Sequence, residues 1–220
     1  MPRWRSGGVE LALAALLLLA CGDAERNELS FVRVDEPRSS DEQVVIDAES
    51  RAEARVQVLE GAARPGVVPT FVGAGTWETW TVGPDARSVE ERVAAGRTYV
   101  RQGGALRLDV RLGAGDRGAF MGGLCASGAE RAMLEVELED RETLGARFAI
   151  RLHALVGEPR ARDVTPHYLM RPVARGEYRA WVDVPPLGAR WVVEVRTLDR
   201  EGAMIGWAFS SPIEVRRPWL

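Results

Sequence analysis

The chain has 220 residues, 46% of them apolar, and its 32 acidic side chains outnumber its 29 basic ones for a formal net charge of −3. Every basic residue is an arginine, which excludes a Schiff-base lysine, a lysine general base and the lysine of a P-loop. Residues 51–220 carry 22 acidic residues against 24 arginines. This near-neutral balance argues against nucleic acid as a partner, because nucleic-acid binding needs a concentrated basic surface.

The first twenty residues have the pattern of an export signal. Arg3 and Arg5 precede an uninterrupted run of ten apolar residues, 11–20. A membrane-spanning helix needs about 20 residues, so this run is too short to cross a bilayer. It matches the apolar region of a signal peptide, and we predict that residues 1–20 are one.

A small residue and a cysteine end the apolar run, in Leu18-Leu19-Ala20-Cys21. This resembles the lipobox of bacterial lipoproteins. The resemblance implies cleavage by signal peptidase II before Cys21 and diacylglycerol on its sulfur, with the membrane as a partner. Two or three acyl chains anchor stably, since each buried CH₂ contributes ~0.8 kcal/mol. The alternatives are a plain secretory signal with an incidental cysteine, or an uncleaved anchor.

The residues after Cys21 refine the expected location. Gly22 stands where an aspartate would favour retention in the inner membrane of enterobacteria, so the bacterial outer membrane is favoured, with a periplasmic or surface-facing body. Residues 22–50 carry nine acidic residues against three arginines. We therefore expect residues 21–50 to form an acidic, flexible tether.

The rest of the chain is dominated by alternation of apolar and polar residues, which predicts strands. It is clearest in residues 106–112, 134–139, 148–154, 178–184 and 191–196. The segments "ARVQVLEG", "GVVPTFVG", "TWETWTVG" and "GRTYVR" predict shorter strands, and "SVEERVAAG" predicts one or two helical turns or an edge strand. Turn residues in "GAGDRG", "VPPLGAR" and "DREGA" connect neighbouring strands.

Strands with one apolar and one polar face belong to antiparallel sheets that cover a core. We therefore predict an all-β protein with an antiparallel, jelly-roll-like β-sandwich over residues 51–217. The alternative is two smaller immunoglobulin-like sandwiches, because residues 130–217 could form one alone. No linker rich in Pro, Gly and Ser separates residues 51–129 from the remainder.

Two stretches resemble galactose-binding-domain-like jelly rolls: "RQGGALRLDVRL" and "YRAWVDVPPLGARWVVEVRTLDREGAMIGWAFSSPIEV". The resemblance implies a carbohydrate-binding module in which Trp207, Ala208, Pro212 and Val215 pack in a closing strand. An immunoglobulin-like terminal strand explains the same four residues.

The sequence offers little for catalysis. His153 and His167 are its two histidines, and no G-x-S-x-G motif presents a serine. Cys125 lies among apolar and small residues, so we expect it to be buried. We expect no pairing with His153, because His153 lies on the polar face of its own strand. No metal-ligand spacing occurs, and we expect no enzyme activity, metal or cofactor.

The candidate binding residues are tryptophans on polar strand faces. Trp181 shares the phase of Arg179 and Asp183, and an aromatic ring between charged groups suits the stacking of a sugar. Trp77 shares the phase of Thr79 and is a second candidate. Alternatively, the N-terminal segment or a loop covers Trp181, or the sheet is packed on both faces.

These features together predict a lipid-anchored, non-catalytic lipoprotein of the cell envelope that binds a glycan or another envelope component. An assembly lipoprotein that docks a protein partner is the second interpretation, and a hydrolase the third.

Overall fold

The computed structural model describes residues 29–35, 43–64, 67–84, 87–114, 117–140, 142–143, 146–155, 160–163 and 175–218. The helices are α1 (Arg51–Ala62) and α2 (Val89–Ala94). The strands are β1 (Leu29–Val34), β2 (Gln43–Ile46), β3 (Thr70–Gly73), β4 (Glu78–Pro84), β5 (Thr98–Gln102), β6 (Leu106–Ala114), β7 (Arg117–Phe120), β8 (Leu124–Ala126), β9 (Arg131–Asp140), β10 (Arg147–Ala154), β11 (Arg160–Asp163), β12 (Arg175–Asp183), β13 (Ala189–Leu198), β14 (Met204–Ser210) and β15 (Ile213–Arg216).

Two sheets form a sandwich, which confirms the predicted all-β antiparallel class. The nine-stranded sheet runs β1-β4-β5-β14-β13-β10-β11, with β15 paired to β13 and β8 paired in parallel to β15. The four-stranded sheet has the order β12-β9-β6-β7, and its pairings are all antiparallel. The five clearest alternating segments of the sequence correspond to β6, β9, β10, β12 and β13.

The principal core lies between the two sheets. Its buried side chains come from alternate positions of each strand, as period-two alternation requires. They include Leu108 and Val110 of β6, Val136 of β9, and Val193 and Val195 of β13. Because this core extends along the chain from Val82 to Val215, both halves of the sequence contribute to one sandwich.

A second core covers the opposite face of the nine-stranded sheet. Here α1 and the parallel pair β2-β3 pack against β5, β13 and β14. At its centre are the rings of Trp77, Trp207 and Phe209, with centroids 4.9–6.0 Å apart. The nine-stranded sheet is therefore buried on both faces, and the molecule has three layers.

Helix α1 corrects the prediction of a strand at "ARVQVLEG". Ser50 caps the helix by accepting a hydrogen bond from the backbone N–H of Glu53 (3.2 Å). Ala54, Val58 and Ala62 are buried at helical spacing. The alternation of Val56 and Val58 suggested a strand, but Val56 is exposed in the structure.

Two strands lie within the segment that was predicted to be a tether. β1 pairs with β4 from Leu29↔Pro84 to Val34↔Thr79, and β2 pairs in parallel with β3. Val44 and Ile46 of β2 are buried in the second core. The tether prediction is therefore wrong for these two strands, because the acidic composition of the whole stretch concealed two short apolar segments.

A buried carboxylate on β13 joins α1 to the nine-stranded sheet. Glu194 is fully buried and accepts hydrogen bonds from His153 Nε2 (2.8 Å), Arg55 (2.8 and 3.2 Å), Trp207 Nε1 (3.0 Å) and Arg196 (2.9 and 3.0 Å). Burial by itself would raise the pKa of Glu194, but hydrogen bonds from His153, Arg55 and Arg196 hold it well below its usual range.

A buried arginine on the same strand holds the other end of α1. Arg190 donates to the carbonyls of Ala62 (2.6 Å), Arg64 (2.8 Å) and Val67 (2.8 Å), and it pairs with the carboxylate of Glu214. The last carbonyls of a helix have no partner within it, so a guanidinium is well suited to this position.

We expect Glu194→Ala to destabilise the protein by about 3–5 kcal/mol, because Arg55, His153 and Trp207 would lose their shared buried acceptor. Chemical denaturation at neutral pH measures the loss. Glu201→Ala, at an exposed turn position, is the matched control and should change stability by less than about 0.5 kcal/mol.

The stability that Glu194 contributes should be lost in acid. The pKa of Glu194 is lowered by folding, so its contribution is complete above the unfolded pKa, about 4.5, and is lost as the pH falls further. Wild type should therefore lose more stability below that pH than Glu194→Ala. Equal acid sensitivity of the two proteins would contradict this role.

Candidate functional site

The outer face of the four-stranded sheet carries the predicted site on β12. Even positions of β12 turn toward the core, and odd positions turn outward. The outward residues are Arg175, Glu177, Arg179, Trp181 and Asp183. The sequence phase of Trp181, Arg179 and Asp183 is thus correct, since all three share one face.

Register across the sheet places these residues in rows. Trp181 lies opposite Met133 of β9, which lies opposite Gly113 of β6, which lies opposite Gly118 of β7. The neighbouring row is Arg179, Glu135, Arg111 and Phe120. Each step between strands is about 5 Å, so the rows form parallel lines of side chains across the face.

Trp181 is 55% exposed, the highest value among the described tryptophans. The guanidinium of Arg131 lies 5.6 Å from the ring centroid and within 3.7 Å of the Asp183 carboxylate. The ring therefore has a charged group beside it and a large area open to solvent. Such an arrangement allows an apolar ligand face to stack while polar groups bind at the ring's edge.

Arg179 connects Trp181 to a cleft. Its Nε lies 3.2 Å from Glu135, and it also pairs with Glu177. The cleft has a volume of about 410 Å³ and is bordered by Leu29 and Phe31 of β1. Its charged lining consists of Arg107, Arg111, Arg175, Arg179, Glu137, Glu139 and Glu177.

We call this the charged cleft. Its charged side chains are largely paired with one another. Arg107 lies 3.5 Å from Glu139, and Arg175 lies 3.4 Å from Glu137. Arg111 pairs with Asp109 at 2.7 Å. The guanidinium groups are therefore each paired with a carboxylate, although Glu177 and Glu137 stand opposite each other on neighbouring strands. The four arginines and three glutamates of the lining nearly balance in charge.

Asp109 is a member of this face that the sequence pattern misplaced. Alternation put it on a solvated strand face, yet it is 1% exposed. Burial raises the pKa of Asp109, although the adjacent Arg111 opposes that shift. Nearby, the guanidinium of Arg97, in the α2–β5 connection, stacks on the ring of Phe120 at 3.8 Å. The alternation of residues along β6 gave no indication that Asp109 would be buried.

Trp77 corrects the second predicted platform. It is 4% exposed, lies in the second core, and donates from Nε1 to the carbonyl of Ala48 (3.1 Å). Because Trp77 shares the phase of Thr79, it was predicted to lie on a solvent-exposed face, but the third layer covers that face of the sheet. Trp77 therefore has a packing role.

The potential catalytic residues are separated by the layers of the fold. His153 is buried against Glu194 on the α1 side of the nine-stranded sheet, which corrects its expected position on a solvated face. Cys125 is buried in the principal core, on the other side. His167 lies outside the described residues.

The described residues contain neither a group that could hold a metal ion nor a helix that could cross a membrane. In that part of the chain no three His, Cys, Asp or Glu side chains are grouped so that they could hold a metal ion. No helix there has both the length and the apolar character needed to cross a membrane.

Comparisons with known proteins give little further information. No family model and no curated protein match the chain. One matching solved structure is a Niemann-Pick type C2 protein from Japanese carpenter ant, which is 7% identical. The match covers 42% of this chain and 79% of that chain at a TM-score of 0.25.

Truncation of the two tryptophans should cost very different amounts of stability. Trp77→Ala removes a buried ring and should cost about 3–5 kcal/mol of stability. Trp181→Ala removes an exposed ring and should cost less than about 1 kcal/mol, mainly the contact with Arg131. Urea denaturation of both variants checks this contrast, and a large loss with Trp181→Ala would show that the ring is covered in solution.

Proposed function

We propose that this chain is a lipid-anchored, non-catalytic lipoprotein of the bacterial cell envelope whose β-sandwich binds a glycan. The observation that carries the proposal is the exposed ring of Trp181 on the outer face of the four-stranded sheet, beside the charged cleft. The anchor rests on the sequence alone, because Cys21 lies outside the described residues.

The geometry around Trp181 suits a sugar for a chemical reason. A pyranose presents C–H groups on its faces, which pack on an aromatic ring, and hydroxyls around its rim, which need donors and acceptors. Arg131 and Asp183 lie beside the ring, and Arg179 follows two residues away on the same face. The ring would hold the sugar face, and these three side chains would bind its hydroxyls.

The balance of charge on this face also favours a sugar over a strongly charged polymer. Five arginines of the face, at positions 107, 111, 131, 175 and 179, each pair with a carboxylate. A polyanion or a polycation would displace favourable pairs and meet groups of its own sign. A polyol can hydrogen-bond to both kinds of group without breaking the balance.

Glycan binding should depend on Trp181. We expect wild type to bind members of a glycan array and Trp181→Ala to lose roughly fivefold or more in affinity, because stacking contributes about 1 kcal/mol. Leu187→Ala is the matched control, since Leu187 is 74% exposed in the β12–β13 turn and does not line the charged cleft. Binding that is absent in wild type, or that is unchanged in Trp181→Ala, would contradict the proposal.

The lipid anchor has an independent test. Cys21→Ser should abolish labelling of the protein by radioactive palmitate and leave the precursor uncleaved at this site, since the lipid is attached through sulfur. Cys125→Ser controls for labelling at the other cysteine and should retain the label. Persistent labelling of Cys21→Ser would show that the lipobox interpretation is wrong.

A further inference from the structure

We infer that the ligand is an uncharged oligosaccharide which extends from Trp181 along β12 into the charged cleft. This inference rests on the proposed glycan binding and adds the length, direction and charge of the ligand.

The ring of Trp181 and the charged cleft are continuous along β12. Trp181 and Arg179 are successive outward residues of β12, and Arg179 also lines the cleft. Glu177 and Arg175, the next outward residues, line the cleft too. From Trp181 to Arg175 the strand extends about 20 Å, far beyond the contact range of one sugar. A ligand that uses both features must be a chain of several units.

The charged walls of the cleft indicate the chemistry of this oligosaccharide. The guanidinium groups of Arg107 and Arg175 donate hydrogen bonds, and the carboxylates of Glu137 and Glu139 accept them. Because each pair lies at 3.4–3.5 Å, donor and acceptor are neighbours. A hydroxyl both donates and accepts, so an uncharged polyol matches these paired groups, whereas a uronic-acid chain would oppose the carboxylates.

The cleft also has an apolar border. Leu29 and Phe31 of β1 line it, and Phe31 lies 5.5 Å from the guanidinium of Arg107. This repeats the arrangement at Trp181, where Arg131 lies beside an aromatic ring. The Trp181 ring and this border thus both offer surfaces for C–H packing, and the charged residues of the cleft offer hydrogen bonds.

The same face offers a second route, which the experiment must separate from the first. Across the strands from Trp181 lie Met133, Gly113 and Gly118. A Cβ added to Gly113 would have no atom within 4 Å, so a larger residue there is tolerated and would block only this route. Gly113→Val is therefore the matched variant for Arg175→Ala, whose side chain is 74% exposed and removable without loss of a core contact.

The experiment is isothermal titration of wild type and variants with neutral gluco- and galacto-oligosaccharides from mono- to hexasaccharide, and with oligogalacturonides of matched length. Wild-type affinity should rise with the length of a neutral ligand. Arg175→Ala should lose roughly tenfold for the longer ligands and nothing for the monosaccharide, since it removes charge-assisted hydrogen bonds only in the cleft. Gly113→Val and the exposed-turn control Arg200→Ala should bind as wild type does.

Three results would overturn the inference while leaving glycan binding intact. They are affinity independent of ligand length, tighter binding of oligogalacturonides than of neutral ligands, and loss of affinity in Gly113→Val with none in Arg175→Ala. Failure of wild type to bind any sugar, or binding unaffected by Trp181→Ala, would overturn the proposed function and this inference together.

Discussion

The rest of the structure depends on one buried negative charge, the carboxylate of Glu194 at the centre of β13. Removing a carboxylate from water is unfavourable unless donors surround it. Here the donors come from the helix, from β10, from β14 and from β13 itself. A single ionised group thus fixes the position of α1 on the sheet, and Arg190 fixes the helix's other end through the carbonyl of Ala62. Together they hold a helix whose own apolar contacts are modest, since four of its twelve residues are buried.

The third layer also determines which surfaces remain for ligands. With α1 and the pair β2-β3 covering one face of the nine-stranded sheet, that sheet is enclosed between two cores. Among the described residues, the outer face of the four-stranded sheet stays open along β12, where every odd position is exposed. Its cross-strand pairs of opposite charge stabilise neighbouring strands, and the same pairs supply donors and acceptors to a polar ligand.

Local periodicity predicted the strands and failed where a distant element changed the environment. β6, β9, β10, β12 and β13 were evident because each buries one face in the principal core. The pattern could not show that a helix covers the opposite face of β10, so His153 was expected in solvent. Trp77 was misplaced for the same reason. Trp181 was placed correctly because nothing in the described chain packs over β12. The charged cleft was not predictable, since it needs β1, which the acidic composition of its surroundings concealed.

The pairing of β1 with β4 has a consequence for where the molecule can reach. Leu29 is the eighth residue after Cys21, and eight extended residues span at most about 29 Å. A lipid on Cys21 would therefore keep Leu29, and the cleft that it borders, within roughly one bilayer thickness of the membrane surface. With this anchor, the protein could bind only ligands that come this close to the membrane surface, and polymers elsewhere in the envelope would be out of its reach.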